Sequence, residues 1–155
     1  VILATPPPVY PWPIGAGPRY QPTARPVSEL TCASGRRFAV HLELFANRRV
    51  IIVPRGIGVA RSGCHGPLST DAPTGVVEVL AGKRYTLADL FRVWGRTLSR
   101  RQLLSFRGCA SVFVGGRRFT GDPRDVPLTR HAEIVVETGG YVAPHVDYLF
   151  PKGVG

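Results

Sequence analysis

The sequence predicts an α+β fold: a mixed β-sheet with one main helix packed on one face. Three observations predict it. Several short segments carry the two-residue alternation or the continuous apolar run of strands. A single segment carries an apolar stripe of helical period. That segment lies between the early strands and a late hairpin. The chain has 155 residues and is 44% hydrophobic, enough for one domain with a core.

Residues 1–27 hold eight of the fifteen prolines, from Pro6 to Pro26. Proline removes backbone donors and disfavours helix at the preceding residue, so this segment is expected to be an extended arm. It also carries Val9, Tyr10, Trp12, Ile14 and Tyr20, more apolar surface than a free linker needs. The arm is therefore expected to lie against the domain or a partner. Residues 28–140 read as a single α+β domain. Residues 141–155 have aromatics without periodicity and are expected to pack as coil.

Within the domain, Phe38, Val40, Leu42 and Leu44 alternate with Ala39, His41 and Glu43, the pattern of a half-buried strand. Val50-Ile-Ile-Val53 is uniformly apolar and is expected to be a central strand. A polar loop follows, then Gly75–Leu80 as a third strand. Thr86 is placed to cap a helix with its hydroxyl, and Asp89 stands three residues on. Leu87, Leu90, Phe91 and Trp94 form one apolar face, and Gly95 is suited to end it. Ser99–Leu104 is expected to add a further helical turn. Ala110–Val114, Gly115-Gly116 and Arg117–Phe119 predict a tight hairpin, and Ala132–Glu137 predicts the last strand.

The closing third, VFVGGRRFTGDPRDVPLTRHAEIVVE, resembles the second half of a ubiquitin-like β-grasp. The implied layout is a β-grasp-like sheet. Four further stretches, HLELFANRRVIIVPRGIGV, CHGPLSTDAPTGVVEV, TLADLFRVWG and HAEIVVETGGYVAPH, resemble an uncharacterised family of secreted bacterial proteins. The resemblance spans most of residues 30–150. It implies a secreted or extracytoplasmic protein, in the periplasm or at the cell surface, and implies no activity. Some members of that group carry a histidine-rich form of the polar loop, PLHTHD with a later histidine. Ser69, Asp71 and Glu78 stand at the matching positions here.

The three cysteines, Cys32, Cys64 and Cys109, form no CxxC pair, which disfavours a structural zinc site. One disulfide and one free thiol fit an oxidising compartment. Cys32 and Cys64 flank the first hairpin, and a bridge between them is expected. Cys109 precedes an apolar strand and is expected to be buried. No apolar run is long enough to span a bilayer. A chain that begins at Val1 and contains no methionine reads as a processed or trimmed protein.

The formal charge of +10 comes almost wholly from arginine. Such a balance favours anionic partners. The arginines are scattered as pairs, with no nucleic-acid-binding motif, so nucleic acid is not the expected partner. GxSxG, a phosphate-binding Walker loop, GxGxxG after a strand and HExxH are all absent. The expected function is a secreted, non-catalytic binding or structural module with a protein or cell-envelope partner. The alternatives are metal binding through the polar loop and arginine-mediated binding of an anionic polymer. For the metal alternative the candidate ligands are His41, Asp71 and Glu78. His41 stands on the polar face of the first strand, Asp71 lies in the loop, and Glu78 has the outward phase of the third strand. An imidazole with two carboxylates suits zinc or copper.

Overall fold

The longest run of strand-type alternation becomes the longest strand, β1 (Arg37–Ala46). In a computed structural model of the chain, which describes residues 19–27 and 30–153, β1 lies at the middle of the main sheet. The residues of the proline-rich arm that precede Arg19, Tyr10 and Trp12 among them, lie outside the described residues.

A tight turn through Asn47 and Arg48, both at positive φ, leads into β2 (Arg49–Ile51), which pairs antiparallel with the far end of β1. Within the polar loop lies β3 (Leu68–Ser69), and after it comes β4 (Val76–Leu80), which pairs antiparallel with the near end of β1. The helix α1 (Leu87–Trp94) follows. Three short strands, β5 (Leu98–Ser99), β6 (Gln102–Leu103) and β7 (Phe106–Arg107), form a small sheet of their own. The hairpin β8 (Ser111–Val114) and β9 (Arg117–Phe119) returns to the main sheet. A 3-10 turn at Pro123–Asp125 precedes β10 (Glu133–Thr138).

The order across the main sheet is β3-β4-β1-β10-β8-β9, with β2 paired to β1 alone. β1 and β10 run parallel, and every other pair is antiparallel. A first hairpin, a crossover helix, a second hairpin and a last strand inserted parallel to the first make the expected β-grasp-like α+β layout. The parallel pairing requires a long connection, and α1 lies within it.

One face of the sheet meets the helix. Val40, Leu42, Leu44, Val77, Val79, Ile134 and Val136 pack with Leu87, Leu90, Phe91 and Trp94 in one core. Each of those side chains contributes on the order of 1.5–3 kcal/mol by leaving water. At the N-terminus of α1 the expected capping box of Thr86 and Asp89 forms. The Asp89 carboxylate accepts from the Thr86 backbone N–H at 2.8 Å and from its hydroxyl at 3.3 Å. Gly95 takes φ 76° and closes the other end. Trp94 donates its indole N–H to the Thr23 carbonyl at 3.2 Å, which ties the segment after Arg19 to the helix. Cys32 and Cys64 are joined in a disulfide, as the sequence predicts.

Four expectations are corrected. Ser99–Leu104 is not helical: Leu98 and Ser99 pair with Leu103 and Gln102, so Arg100 and Arg101 turn a small hairpin. Only Val50 and Ile51 of the second apolar run are strand, and that strand pairs with β1 alone, so it is not central. Its residues Val50–Val53 are buried because the loops and the chain after Arg19 cover them, with Tyr20 bridged to Ile51. Cys109 is exposed, because β8 starts two residues later and the preceding Gly108 and Arg107 are on the surface. Finally, β1 is not half-buried. Ala39–Ala46 are buried on both faces, since the C-terminal tail lies over the side opposite the helix.

Candidate metal centre

Pairing fixes which side chains meet. His41 is opposite Glu133 across the parallel β1–β10 pair, and Glu43 is opposite Val135. Residues two apart on a strand share a face, so His41, Glu43 and Glu133 project together, away from the helix. All three are buried: 0% of His41, 4% of Glu43 and 2% of Glu133 is exposed. A buried charge-bearing cluster of this kind is costly unless its members satisfy one another or hold an ion.

The geometry supplies the satisfaction. His41 Nδ1 is 3.0 Å from both carboxyl oxygens of Glu133 and 3.7 Å from Glu43 Oε2. His41 Nε2 is 2.9 Å from the Thr74 carbonyl, which only accepts, so Nε2 carries a proton and donates it. His145, from the tail, brings its Nδ1 to 2.8 Å from Glu43 Oε2. Tyr148 lies flat on the His41 ring, with centroids 3.6 Å apart. Glu43 Oε1 and the Tyr148 hydroxyl are buried without a hydrogen-bond partner among the described residues.

The electrostatics follow from burial. Desolvation lowers the His41 pKa to about 3, against the hydrogen bond to Thr74, and the nearby charge of His145 lowers it further. Desolvation raises Glu133, and the neighbouring charge of Glu43 adds to the effect. Glu43 is raised too, by desolvation first, while the hydrogen bond and charge of His145 pull the other way. Neutral His41 with its proton on Nε2 leaves Nδ1 as an acceptor, and protonated Glu133 is the donor beside it. Without an ion the pair therefore holds one proton between Nδ1 and the carboxyl.

The same arrangement is suited to a cation. Donor atoms of His41, Glu43 and Glu133 all lie within 4.8 Å of one another. Ligands about 2.1 Å from a tetrahedral ion lie about 3.4 Å apart. The separations of 3.0 Å and 3.7 Å from His41 Nδ1 to the two carboxylates bracket that value. A metal-bound imidazole normally donates its other N–H to a carbonyl or carboxylate, the role the Thr74 carbonyl fills for His41.

Of the three sequence-predicted ligands, the structure gathers His41 into this cluster and leaves the other two elsewhere. Asp71 is on the exposed loop, 2.7 Å from His65 Nε2. Glu78 is half-buried in β4, opposite Ala39 and Ser69, one step along the sheet from His41. Sequence reasoning missed Glu43, Glu133 and His145. The first two had a signal: they are the polar residues at alternate positions of two otherwise apolar strands. His145 had none, because the tail has no period.

Comparison with protein-family models, with curated proteins and with solved structures finds no match to this chain.

Proposed function

We propose that this chain is a non-catalytic, extracytoplasmic binding module whose ligand is a divalent first-row metal ion such as zinc. The observation that carries the reading is the buried convergence of His41, Glu43 and Glu133 on one point of the sheet face opposite the helix. Two carboxylates and an imidazole match the donor preferences of zinc and its neighbours. The enclosure supports binding over catalysis, since a catalytic ion keeps an open position and these ligands are almost fully buried. The Cys32–Cys64 disulfide supports an oxidising compartment. No helix among the described residues is long and apolar enough to cross a membrane.

The arginine-based alternative has less behind it. Arg92 and Arg124 line the cleft beside the end of α1, and each is already paired with an aspartate, Asp89 and Asp122. A protein or cell-envelope partner fits the reading as the recipient of the module, and the metal is what the site itself recognises.

Calorimetric titration of chelator-treated protein with zinc, and separately with copper, tests the proposal. The expected result is one ion per chain at micromolar dissociation constant or tighter, lost in His41→Gln and in Glu133→Gln. The same weak uptake in the intact protein and in both variants overturns it.

A further inference from the structure

The ligands of the proposed centre come from two kinds of chain. His41, Glu43 and Glu133 sit on β1 and β10, held by a ladder of hydrogen bonds at the middle of the sheet. His145 does not. It comes from a tail, residues 141–150, with no helix or strand. Among the described residues no backbone–backbone hydrogen bond joins that tail to the sheet.

Side chains hold the tail instead. Val142 fills a second core with Phe45, Val50, Ile52, Phe113 and Val135. Its N–H donates to Glu137 Oε1 at 3.1 Å. Tyr148 stacks on His41, and Phe150 stacks on His131 with centroids 4.6 Å apart. Val142, His145 and Tyr148, spaced by three, point inward and are buried, while Tyr141, Val146 and Leu149 point outward and are exposed. The inward row places an imidazole nitrogen 2.8 Å from Glu43 Oε2, the same oxygen that His41 Nδ1 approaches at 3.7 Å.

We infer that His145 is the fourth ligand of the centre and that the bound ion fastens the C-terminal tail to the sheet. This rests on the metal reading above. Two imidazoles and two carboxylates complete a four-coordinate set for zinc. Glu43 Oε2 stands between the two imidazole nitrogens. The donor atoms already within 4.8 Å of one another are those of His41, Glu43 and Glu133, and His145 joins them by a shift of its ring toward the ion. The tail then closes the site with a ligand at His145 and a ring cover at Tyr148. Binding and docking are linked: an ion that binds the docked state better than the undocked one raises the docked population by the same factor. Loading the ion is thereby coupled to ordering about ten residues of chain.

The test uses the full chain, stripped with a chelator and then loaded with zinc. Amide hydrogen exchange is followed in peptides from residues 141–150, and zinc affinity is measured by calorimetry. Two variants are compared, His145→Ala and His145→Gln; the second keeps a side chain able to donate to Glu43. The expected result is that zinc slows exchange in the tail of the intact protein. In both variants affinity falls by about tenfold or more, and saturating zinc leaves tail exchange unchanged. Wild-type affinity in His145→Gln, or a tail whose exchange ignores zinc in the intact protein, overturns the inference and leaves the three-ligand reading standing. Absence of zinc uptake by the intact protein overturns both. Loss of uptake in His41→Gln with none in His145→Gln overturns only the role of His145.

Discussion

The imidazole of His41 lies flat against the phenol ring of Tyr148, the two planes 9° apart. One ring comes from the longest strand and the other from a tail without secondary structure, so the contact is a measure of how the tail is seated. The Tyr148 hydroxyl is buried and has no hydrogen-bond partner among the described residues, and burial raises its pKa to about 12. An unpaired buried hydroxyl opposes folding, whereas the ring favours it. In metal-free protein, Tyr148→Phe is expected to be neutral or stabilising by up to about 1 kcal/mol. Tyr148→Ala is expected to destabilise by about 3–5 kcal/mol, as truncation of a buried aromatic does. Urea denaturation of the two variants checks the pair, and a loss of several kcal/mol in Tyr148→Phe would reveal a hydroxyl partner.

Gly75 is expected to tolerate no side chain. It has φ 84°, where a Cβ is strained, and a Cβ there would collide with the Leu42 carbonyl and lie 3.0 Å from His41 Nε2. Gly75→Ala should destabilise the protein by more than about 1 kcal/mol and disturb the His41–Thr74 hydrogen bond. Thermal melting and the chemical shifts of the His41 ring report the two effects separately. An unchanged melting curve would show that the loop relaxes freely.

Glu137 predicts a pH dependence. It is buried, burial raises its pKa to about 7, and the hydrogen bond from Val142 N–H opposes that rise without cancelling it. The folded state keeps the proton that the unfolded state releases at its ordinary value of 4.5. The contribution to stability is full below that value and is lost as pH rises toward 7. Replacing Glu137 by Gln should flatten this part of the profile. Denaturant midpoints measured from pH 4 to pH 8 on chelator-treated protein check it. An equal slope in the variant would place the titration elsewhere.

Reduction of the Cys32–Cys64 bridge is expected to cost about 3–4 kcal/mol in the chain-entropy view, for a separation of 32 residues. Thiol titration of the native, unreduced protein should count one thiol, since Cys109 is exposed and free. Three reactive thiols would remove the bridge.

Much of the fold could be read from residue pattern because local chemistry dictated it. Leu87, Leu90, Phe91 and Trp94 announce α1, Gly115-Gly116 announces the late hairpin, and the alternation of Phe38–Leu44 announces β1. Arg100 and Arg101 were misread because a two-residue hairpin turn in a polar stretch leaves no period to detect. The second face of β1 was misread for another reason. Alternation says that His41 and Glu43 share a side, but only the tail decides that this side is dry. The candidate centre was legible in part: His41 stood out as a polar residue on an apolar strand. Its partners depend on a parallel register between the first and last strands, which no local signal encodes.

That parallel register also sets a schedule. His41 and Glu133 are 92 residues apart, and Glu43 and His145 are 102 apart. Contacts of such separation form late, because the intervening chain must be closed before they stabilise anything. A growing chain carries His41 and Glu43 on a strand whose central neighbour has not yet been made. The cluster comes into being when β10 pairs with β1, and it is covered only when residues 141–150 dock over it. On the metal reading proposed above, the full ligand set exists only once β10 lies beside β1. On that reading ion capture reports that β1 and β10 have paired and that residues 141–150 have docked.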